Sequence, residues 1–188
     1  MPDTVPEIEA TATRVVYQNR WMRVREDTIR RGNELAGIYG IVEKPDFVLI
    51  IPMEDDGSLH LVEQFRYPVG ARFWELPQGT WEARRDAAAV DAARAELREE
   101  TGLEAGEMTH VGHLFQAYGY ATQGCNIFLA RQLRFVGNAL DPEEQGLVTE
   151  CFPLAKVLQM IRIGVIQDAA TVAAMGLLHL KGLLPGCS

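Results

Sequence analysis

The chain has 188 residues, the size of one domain or of two small ones. Its composition, 47% hydrophobic and 23% charged, is that of a globular protein and excludes a disordered or fibrous chain. The net charge of −8 excludes a general binder of long nucleic acids, whose binding face is basic, although an acidic protein can still bind phosphates through divalent cations.

The cysteines indicate the compartment. Cys125, Cys151 and Cys187 are widely spaced and form no C-x-x-C pair, which is typical of reduced thiols and not of disulfides or a zinc site. The N-terminus has no basic region followed by an apolar stretch, and no run approaches the roughly 18 apolar residues of a membrane span. We therefore expect a cytoplasmic protein with no membrane partner.

The first half of the chain reads as strands. Residues 1–12 are polar and contain prolines, so we expect a flexible N-terminal arm followed by a single domain over residues 13–188. Alternating or continuous apolar runs, separated by turn residues, then predict the strands Arg20–Arg30, Leu35–Val42, Phe47–Pro52, His60–Phe65 and Arg72–Leu76. The continuously apolar run Phe47–Pro52 indicates a buried central strand.

The second half is mixed. Asp86–Thr101 is rich in strong helix formers, with Asp86 as a candidate N-cap and Gly102 as the residue that ends the helix. Further strands and helices are predicted in this order: strands Met108–Leu114, Asn126–Ala130 and Leu147–Phe152, then helices Leu154–Ile163 and Asp168–Leu180. Strands on both sides of one helix, followed by terminal helices, predict an α+β fold or an α/β/α sandwich.

The middle helix carries three carboxylates on one face. At about 100° per residue, Glu96, Glu99 and Glu100 fall within an arc of roughly 100°, away from Leu97 and Val90 on the core side. Like charges at this spacing repel, and Mg²⁺ is a natural partner because it joins carboxylates to substrate phosphates. On wheel geometry alone, a solvated helix surface is the favoured interpretation of the pattern. The same face carries small residues one to two turns earlier, which would let another segment approach: Ala89, Ala92 and Ala93.

The wider pattern resembles the Nudix hydrolase signature, G-x(5)-E-x(7)-R-E-U-x-E-E-x-G-U, in which U is aliphatic. Residues 96–103, E-L-R-E-E-T-G-L, match its second half at every fixed position except the arginine before the first glutamate, which is Ala95 here. Residues 80–95 separate Gly79 from Glu96, two more than in the family pattern.

The first half of the signature departs further. The family's upstream glutamate falls on Arg85 when counted from Gly79, or on Ala87 when counted back from the box. In the family this glutamate and the missing arginine pair as a structural strut, so both partners are absent together. The alternative struts are Arg94 with Glu82 or Arg94 with Asp86, and the sequence does not choose between them.

Two more segments are similar to ADP-ribose pyrophosphatases and related nucleoside-diphosphate-sugar hydrolases. They are Q-F-R-Y-P-V-G with W-E-L-P-Q-G, within residues 64–79, and G-V-I-Q-D-A-A-T, residues 164–171. The resemblance implies a Nudix-type α/β/α sandwich with a mixed central sheet, and metal-dependent hydrolysis of a pyrophosphate bond in ADP-ribose or a nucleotide sugar. It also implies a small-molecule nucleoside diphosphate derivative as partner, and a homodimer to which the strands over residues 13–42 contribute.

The resemblance also assigns roles to individual residues. Mg²⁺, or alternatively Mn²⁺, would be held by the following groups: the side chains of Glu96, Glu99 and Glu100 and the backbone carbonyl of Gln78. Arg66 and Glu75 match residues near the substrate pocket, where Arg66 could hold a phosphate, although a surface ion pair is the alternative. Trp74 is a core residue or a stacking platform, and Asp168 is a helix N-cap.

The general base and the contacts to the base or ribose stay open. The acidic loop Asp141–Gln145 resembles a loop that supplies the base, which makes Glu143 and Glu144 candidates beside Glu99; an exposed turn is the alternative. Tyr118 and Tyr120 either stack on a base or ribose or pack at a strand end.

A departure at Gln123 weakens the substrate assignment, and two histidines are not assigned to the site. Gln123 stands where the S-P-G-x-x-x-E segment of this branch has its glutamate, which weakens the substrate assignment. His110 and His113 lie on a predicted strand and are interpreted as structural.

The competing function for the whole chain is a Nudix-fold module that senses a nucleotide without hydrolysing it.

Overall fold

The computed structural model describes residues 7–32, 34–80, 88–137 and 146–185. Within these ranges the strands are β1 Glu9–Gln18, β2 Arg23–Arg31, β3 Glu34–Glu43, β4 Phe47–Pro52, β5 Leu59–Arg66, β6 Ala71–Glu75, β7 Gln78–Thr80, β8 Leu103–Phe115, β9 Gly124–Phe135 and β10 Val148–Phe152. The helices are α1 Ala89–Thr101, α2 Leu154–Arg162 and α3 Ala169–Leu180, with a 3₁₀ turn at Tyr67–Val69. None of these helices has the length and apolar character needed to cross a membrane.

The chain forms two compact units. The first contains the N-terminal segment up to Pro45 together with Phe115–Gly124. Its core element is an antiparallel sheet in the order β1-β2-β3. The segment Phe115–Gly124 is tied to the end of β3, because the backbone amide of Val42 donates to the carbonyl of Tyr120 and Thr122 donates back to Val42.

The second unit, Asp46–Leu114 and the chain from Cys125 onward, contains two sheets. One has the order β7-β4-β9-β8 and the other β10-β5-β6. The first of them is mixed, since β4 runs antiparallel to β7 and parallel to β9. All six residues of β4 are buried, which confirms the predicted central strand.

Helices cover both faces of the sheet that contains β4. On one face Val48 and Ile50 pack against Ala92, Ala93 and Leu97 of α1. The opposite face packs against α2 and α3 through a second buried cluster, which includes Leu49, Ile51, Ile127, Val157, Met160, Ala174 and Leu178. The alternation along β4 explains how a continuously apolar strand is used on two sides, and the α+β class predicted from the sequence is confirmed.

Several predicted boundaries differ from the structure. Strand β1 begins at Glu9, so residues 9–12, which we expected in the N-terminal arm, pair with β2 instead. Helix α1 begins at Ala89 with Ala88 in the N-cap position and no side-chain cap; the predicted cap, Asp86, lies outside the described residues. Its end is as predicted, because Gly102 adopts a left-handed conformation with φ of 70°.

Candidate active site

The site is built around the point where the chain leaves one sheet and enters another. Strand β6 ends at Glu75, residues 76–77 cross over, and β7 begins at Gln78. Strand β7 pairs with β4, and the amide of Ile50 donates to the carbonyl of Pro77 at 2.9 Å. The sequence did not predict this short strand, which places Gln78 and Gly79 at the edge of the sheet, next to α1.

Gly79 makes room for Glu96. A Cβ atom on residue 79 would overlap both carboxylate oxygens and the carboxylate carbon of Glu96. Only glycine therefore leaves room for the Glu96 carboxylate in this position. On the helix side, Ala92 and Ala93 of α1 are small and buried, which lets the helix approach the sheet closely, as the sequence predicted.

Glu100, one helical turn after Glu96, contacts the first residue of β7. Its carboxylate is almost fully buried and accepts the backbone amide of Gln78 at 3.0 Å. Because Gln78 stands opposite Leu49 and the neighbouring Ile50–Pro77 pair makes the ladder hydrogen bond, both backbone groups of Gln78 point away from β4. The Gln78 carbonyl, a predicted metal ligand, thus points to the side on which Glu100 lies.

The three glutamates are arranged for a cation only in part. Glu96 and Glu99 are half-buried and Glu100 is buried. Among the residues that the structure describes, no three His, Cys, Asp or Glu side chains lie close enough together to form a ready-made cage. Two helix carboxylates and one backbone carbonyl at the same edge are nevertheless the oxygen donors that Mg²⁺ takes alongside water and substrate phosphates, so the residues present fit a divalent cation.

Helix α1 is held by its neighbours and not by the strut of the family pattern. Arg94 donates to the backbone carbonyl of Ala105 at 2.6 Å, and Arg98 lies 3.4 Å from Glu104. The two acids proposed as alternative strut partners of Arg94, Glu82 and Asp86, lie outside the described residues.

Glu75 and Arg66 form a pair beside the crossover. Glu75 is 2% exposed and accepts two N–H groups of the Arg66 guanidinium, Nε and Nη2, while Gln64 donates to it at 2.8 Å. Burial raises the pKa of the Glu75 carboxyl above its ordinary value of 4.5; Arg66 opposes this shift, and the nearby charge of Asp168 adds to it. These two hydrogen bonds to Glu75 orient Arg66. Its side chain is 40% exposed and has N–H groups besides the two that Glu75 accepts.

The remaining predicted residues fall into three groups. Tyr118 and Tyr120 belong to the first unit, where their side chains are 84% and 60% exposed. Gln123 is buried there and donates to the carbonyl of Pro45 at 2.9 Å. Glu143 and Glu144, two of the three candidate bases, lie outside the described residues.

The structural interpretations of the histidines and of Trp74 are supported. His110 packs against the ring of Phe128, and His113 lies 3.1 Å from Asp46. Trp74 makes an edge-to-face contact with Phe152 and packs on the core.

Sequence reasoning missed the role of the first turn of α3. Asp168 caps the helix as predicted, accepting the amide of Thr171 at 2.7 Å, but its carboxylate also accepts the side-chain amide of Gln78 at 3.3 Å. Thr171, which is fully buried, accepts the backbone amide of Leu76 at 3.0 Å. The G-x-I-x-D-x-x-T segment was the available signal, although its spacing alone does not reveal the partner.

Comparison with known proteins agrees with the geometry. A family model described as the NUDIX domain matches residues 44–168, and one described as the nucleoside diphosphate sugar hydrolase N-terminal domain matches residues 8–42. An ADP-ribose pyrophosphatase of Mycobacterium tuberculosis is 28% identical over 92% of this chain and 84% of its own length. A second, from Bacillus subtilis, is 27% identical over 95% and 96%.

The fold is shared with a solved structure. The crystal structure of an ADP compounds hydrolase superimposes with a TM-score of 0.83 at 22% identity, covering 99% of this chain and 100% of that one. This likeness confirms the predicted sandwich architecture with its mixed sheet.

Proposed function

The chain belongs to the Nudix family of pyrophosphohydrolases, and from this premise we propose that it uses Mg²⁺ or Mn²⁺ to hydrolyse the pyrophosphate bond of ADP-ribose or a nucleotide sugar. The observation that carries the proposal is the edge of β7, where Glu96 packs on Gly79 and Glu100 binds the amide of Gln78. An acidic protein needs such a device to accept an anionic substrate, because its overall charge repels phosphate.

The proposed metal ligands are the side chains of Glu96, Glu99 and Glu100 and the carbonyl of Gln78. A divalent cation bound there would neutralise phosphate oxygens and make water easier to deprotonate. The protein contributes by holding these oxygens in place before substrate arrives, through the buried contact of Glu100 and the packing of α1 on β4.

Arg66 and Glu75 are proposed to act together on the substrate. Glu75 fixes the guanidinium by a two-pronged hydrogen bond, and the remaining N–H groups of Arg66 would donate to a phosphate oxygen. Because Glu75 is buried and occupied by Arg66 and Gln64, its proposed role is to orient Arg66.

The reaction itself transfers water to phosphorus. The water oxygen forms a bond to one phosphorus, its proton passes to a carboxylate, and the bond from that phosphorus to the bridging oxygen breaks. With ADP-ribose the products are AMP and ribose 5-phosphate. The proposed bases are Glu99, Glu143 and Glu144, and Tyr118 and Tyr120 are proposed to stack on the base or ribose, in keeping with their exposed rings.

The proposal extends to assembly and location. We propose that residues 13–188 act as a single functional domain, which forms a homodimer through its N-terminal strands. Apolar side chains exposed on these strands support the dimer: Val15, Val16, Tyr17 and Ile38. Sedimentation analysis tests the dimer. The proposed compartment is the cytoplasm, in line with the free thiols of Cys125 and Cys151.

A panel of substrates tests the activity. Purified protein is incubated with ADP-ribose, a GDP-sugar and a dinucleoside pyrophosphate, each with Mg²⁺, with Mn²⁺ or with a chelator, and products are separated by anion exchange. We expect metal-dependent formation of a nucleoside monophosphate, fastest with ADP-ribose. Absence of product with every substrate would contradict the proposal.

The alternative function is a nucleotide sensor without turnover. It is favoured by Ala95 in place of the strut arginine and by Arg94, which is directed at the carbonyl of Ala105. Calorimetry separates the two: a sensor binds a substrate of the panel in the presence of metal and releases no product, whereas an enzyme consumes it.

A further inference from the structure

The crossover between β6 and β7 makes hydrogen bonds with three different elements. Pro77 has no amide, and its carbonyl accepts Ile50 of β4. The amide of Gln78 donates to Glu100 of α1. The amide of Leu76 donates to the side chain of Thr171, in the first turn of α3. The path of the backbone into the site is therefore set from three directions.

The contribution of α3 comes from two side chains. Thr171 is 0% exposed, and its hydroxyl oxygen accepts the Leu76 amide. Asp168 accepts both the backbone amide of Thr171 and the side chain of Gln78. The start of α3 thus binds the chain on both sides of Pro77, at Leu76 and at Gln78. We call Asp168 and Thr171 the α3 latch.

We propose that the α3 latch positions the metal centre, an inference that rests on the proposed function. Without the Thr171 hydroxyl, the Leu76 amide is left without its buried acceptor, so the crossover moves to find another. Since the Gln78 carbonyl and the amide that holds Glu100 lie two residues further on, that movement separates the oxygen ligands. Thr171 and Asp168 are positioning residues, because they act on the cation through Leu76 and Gln78.

The test compares variants that keep or remove the hydroxyl. Thr171→Val removes it with little change in volume, and Thr171→Ser restores it. Asp168→Asn is a milder second variant, since asparagine still caps a helix but offers a weaker acceptor to Gln78. Ala174→Gly, on the same helix and also buried, is the control for a general loss of helix stability.

Two measurements are made on metal-free protein. Hydrogen exchange follows the Leu76 amide, and electron paramagnetic resonance follows Mn²⁺ titrated in the absence of substrate. In Thr171→Val we expect the amide to exchange at least about tenfold faster and the Mn²⁺ dissociation constant to rise about tenfold or more, the usual effect of losing a group that orients metal ligands. Thr171→Ser should return both close to the wild-type values. Asp168→Asn should weaken Mn²⁺ binding to a smaller extent, and Ala174→Gly should change neither.

The outcomes separate the two proposals. If the wild-type protein binds Mn²⁺ but Thr171→Val binds it equally tightly while the Leu76 amide exchanges faster, the latch is structural only and this inference is wrong. If Ala174→Gly weakens Mn²⁺ binding as much as Thr171→Val, the inference is wrong as well. If the wild-type protein binds no Mn²⁺, the proposed function itself fails.

Discussion

Replacing Gly79 by alanine tests the site at the atom where strand and helix meet. The added Cβ would coincide with the carboxylate of Glu96, so either the strand or that side chain must move. The backbone of residue 79 does not have the positive φ that disfavours alanine, which means that the effect comes from the Cβ alone. The variant therefore displaces one proposed metal ligand without removing it.

The expected magnitudes follow from the identity of the overlapped atoms. They form the end of a flexible side chain, so Glu96 can rotate aside, and the free energy of unfolding should fall by no more than about 1 kcal/mol, the lower limit for overpacking. To reach ordinary contact the carboxylate must move by about 1 Å, and a misplacement of that size costs on the order of 100-fold in rate. We expect a large loss of kcat/KM in a protein of nearly wild-type stability.

The assay is metal-dependent hydrolysis of ADP-ribose beside urea denaturation. The control is Gly176→Ala, because a Cβ at that exposed position of α3 meets nothing within 4 Å and lies outside the strands proposed to form the dimer. In a Glu96→Ala background, Gly79→Ala should add little, since the clashing carboxylate is already gone. The reasoning is refuted if Gly79→Ala keeps wild-type activity, or if it costs the same factor whether or not Glu96 is present.

Three further predictions concern single side chains. Glu100→Gln can still accept the Gln78 amide, so the fold stays intact while most Mg²⁺-dependent hydrolysis is lost; unchanged turnover would contradict the assignment. Because burial raises the pKa of the Glu75 carboxyl above its value in the unfolded chain, ionisation of this group costs more in the folded state. The stability of the wild-type protein relative to Glu75→Gln should therefore fall as pH rises above about 4.5. Urea denaturation at several pH values checks this, and a rise would contradict it. Burial raises the pKa of the Cys125 thiol to about 12, so iodoacetamide at pH 8 should label it only after unfolding, as peptide mass spectrometry would show; labelling in the native protein would be the opposite result.

The fold was predictable where local patterns decide it. The apolar run Phe47–Pro52 gave the bounds of β4 because six consecutive apolar residues are stable only between two covered faces. The start of α1 was predicted too early, because Asp86 is a favourable cap by residue type, whereas Ala88 is extended and the helix begins at Ala89 without a side-chain cap. Strand β7 was missed because its three residues carry no strand pattern, and it forms only through pairing with β4.

The site was predictable to the level of the helix face. Helical periodicity places Glu96, Glu99 and Glu100 together, and this needs no tertiary information. The tertiary contacts that complete the site could not be predicted in this way, because they join residues far apart in the chain, such as Gln78 with Glu100 and Leu76 with Thr171. The same holds for Arg66, whose orientation toward Glu75 depends on the antiparallel pairing of β5 with β6.

The departures from the family signature leave this face in place for a physical reason. The missing strut would join the helix to the segment before it in the sequence, but the position of α1 over the sheet depends on the packing of Ala92, Ala93 and Leu97 against β4. The small side chains of Ala92 and Ala93 bring the helix axis close to the sheet, and the absent Cβ of Gly79 leaves room for the Glu96 carboxylate at its edge. Because Glu96 lies one turn beyond Ala92, this packing brings Glu96 to the edge of the sheet, where its carboxylate lies next to Gly79 of β7. The loss of the strut should therefore affect the segment that precedes the helix in the sequence more than the carboxylates that α1 carries.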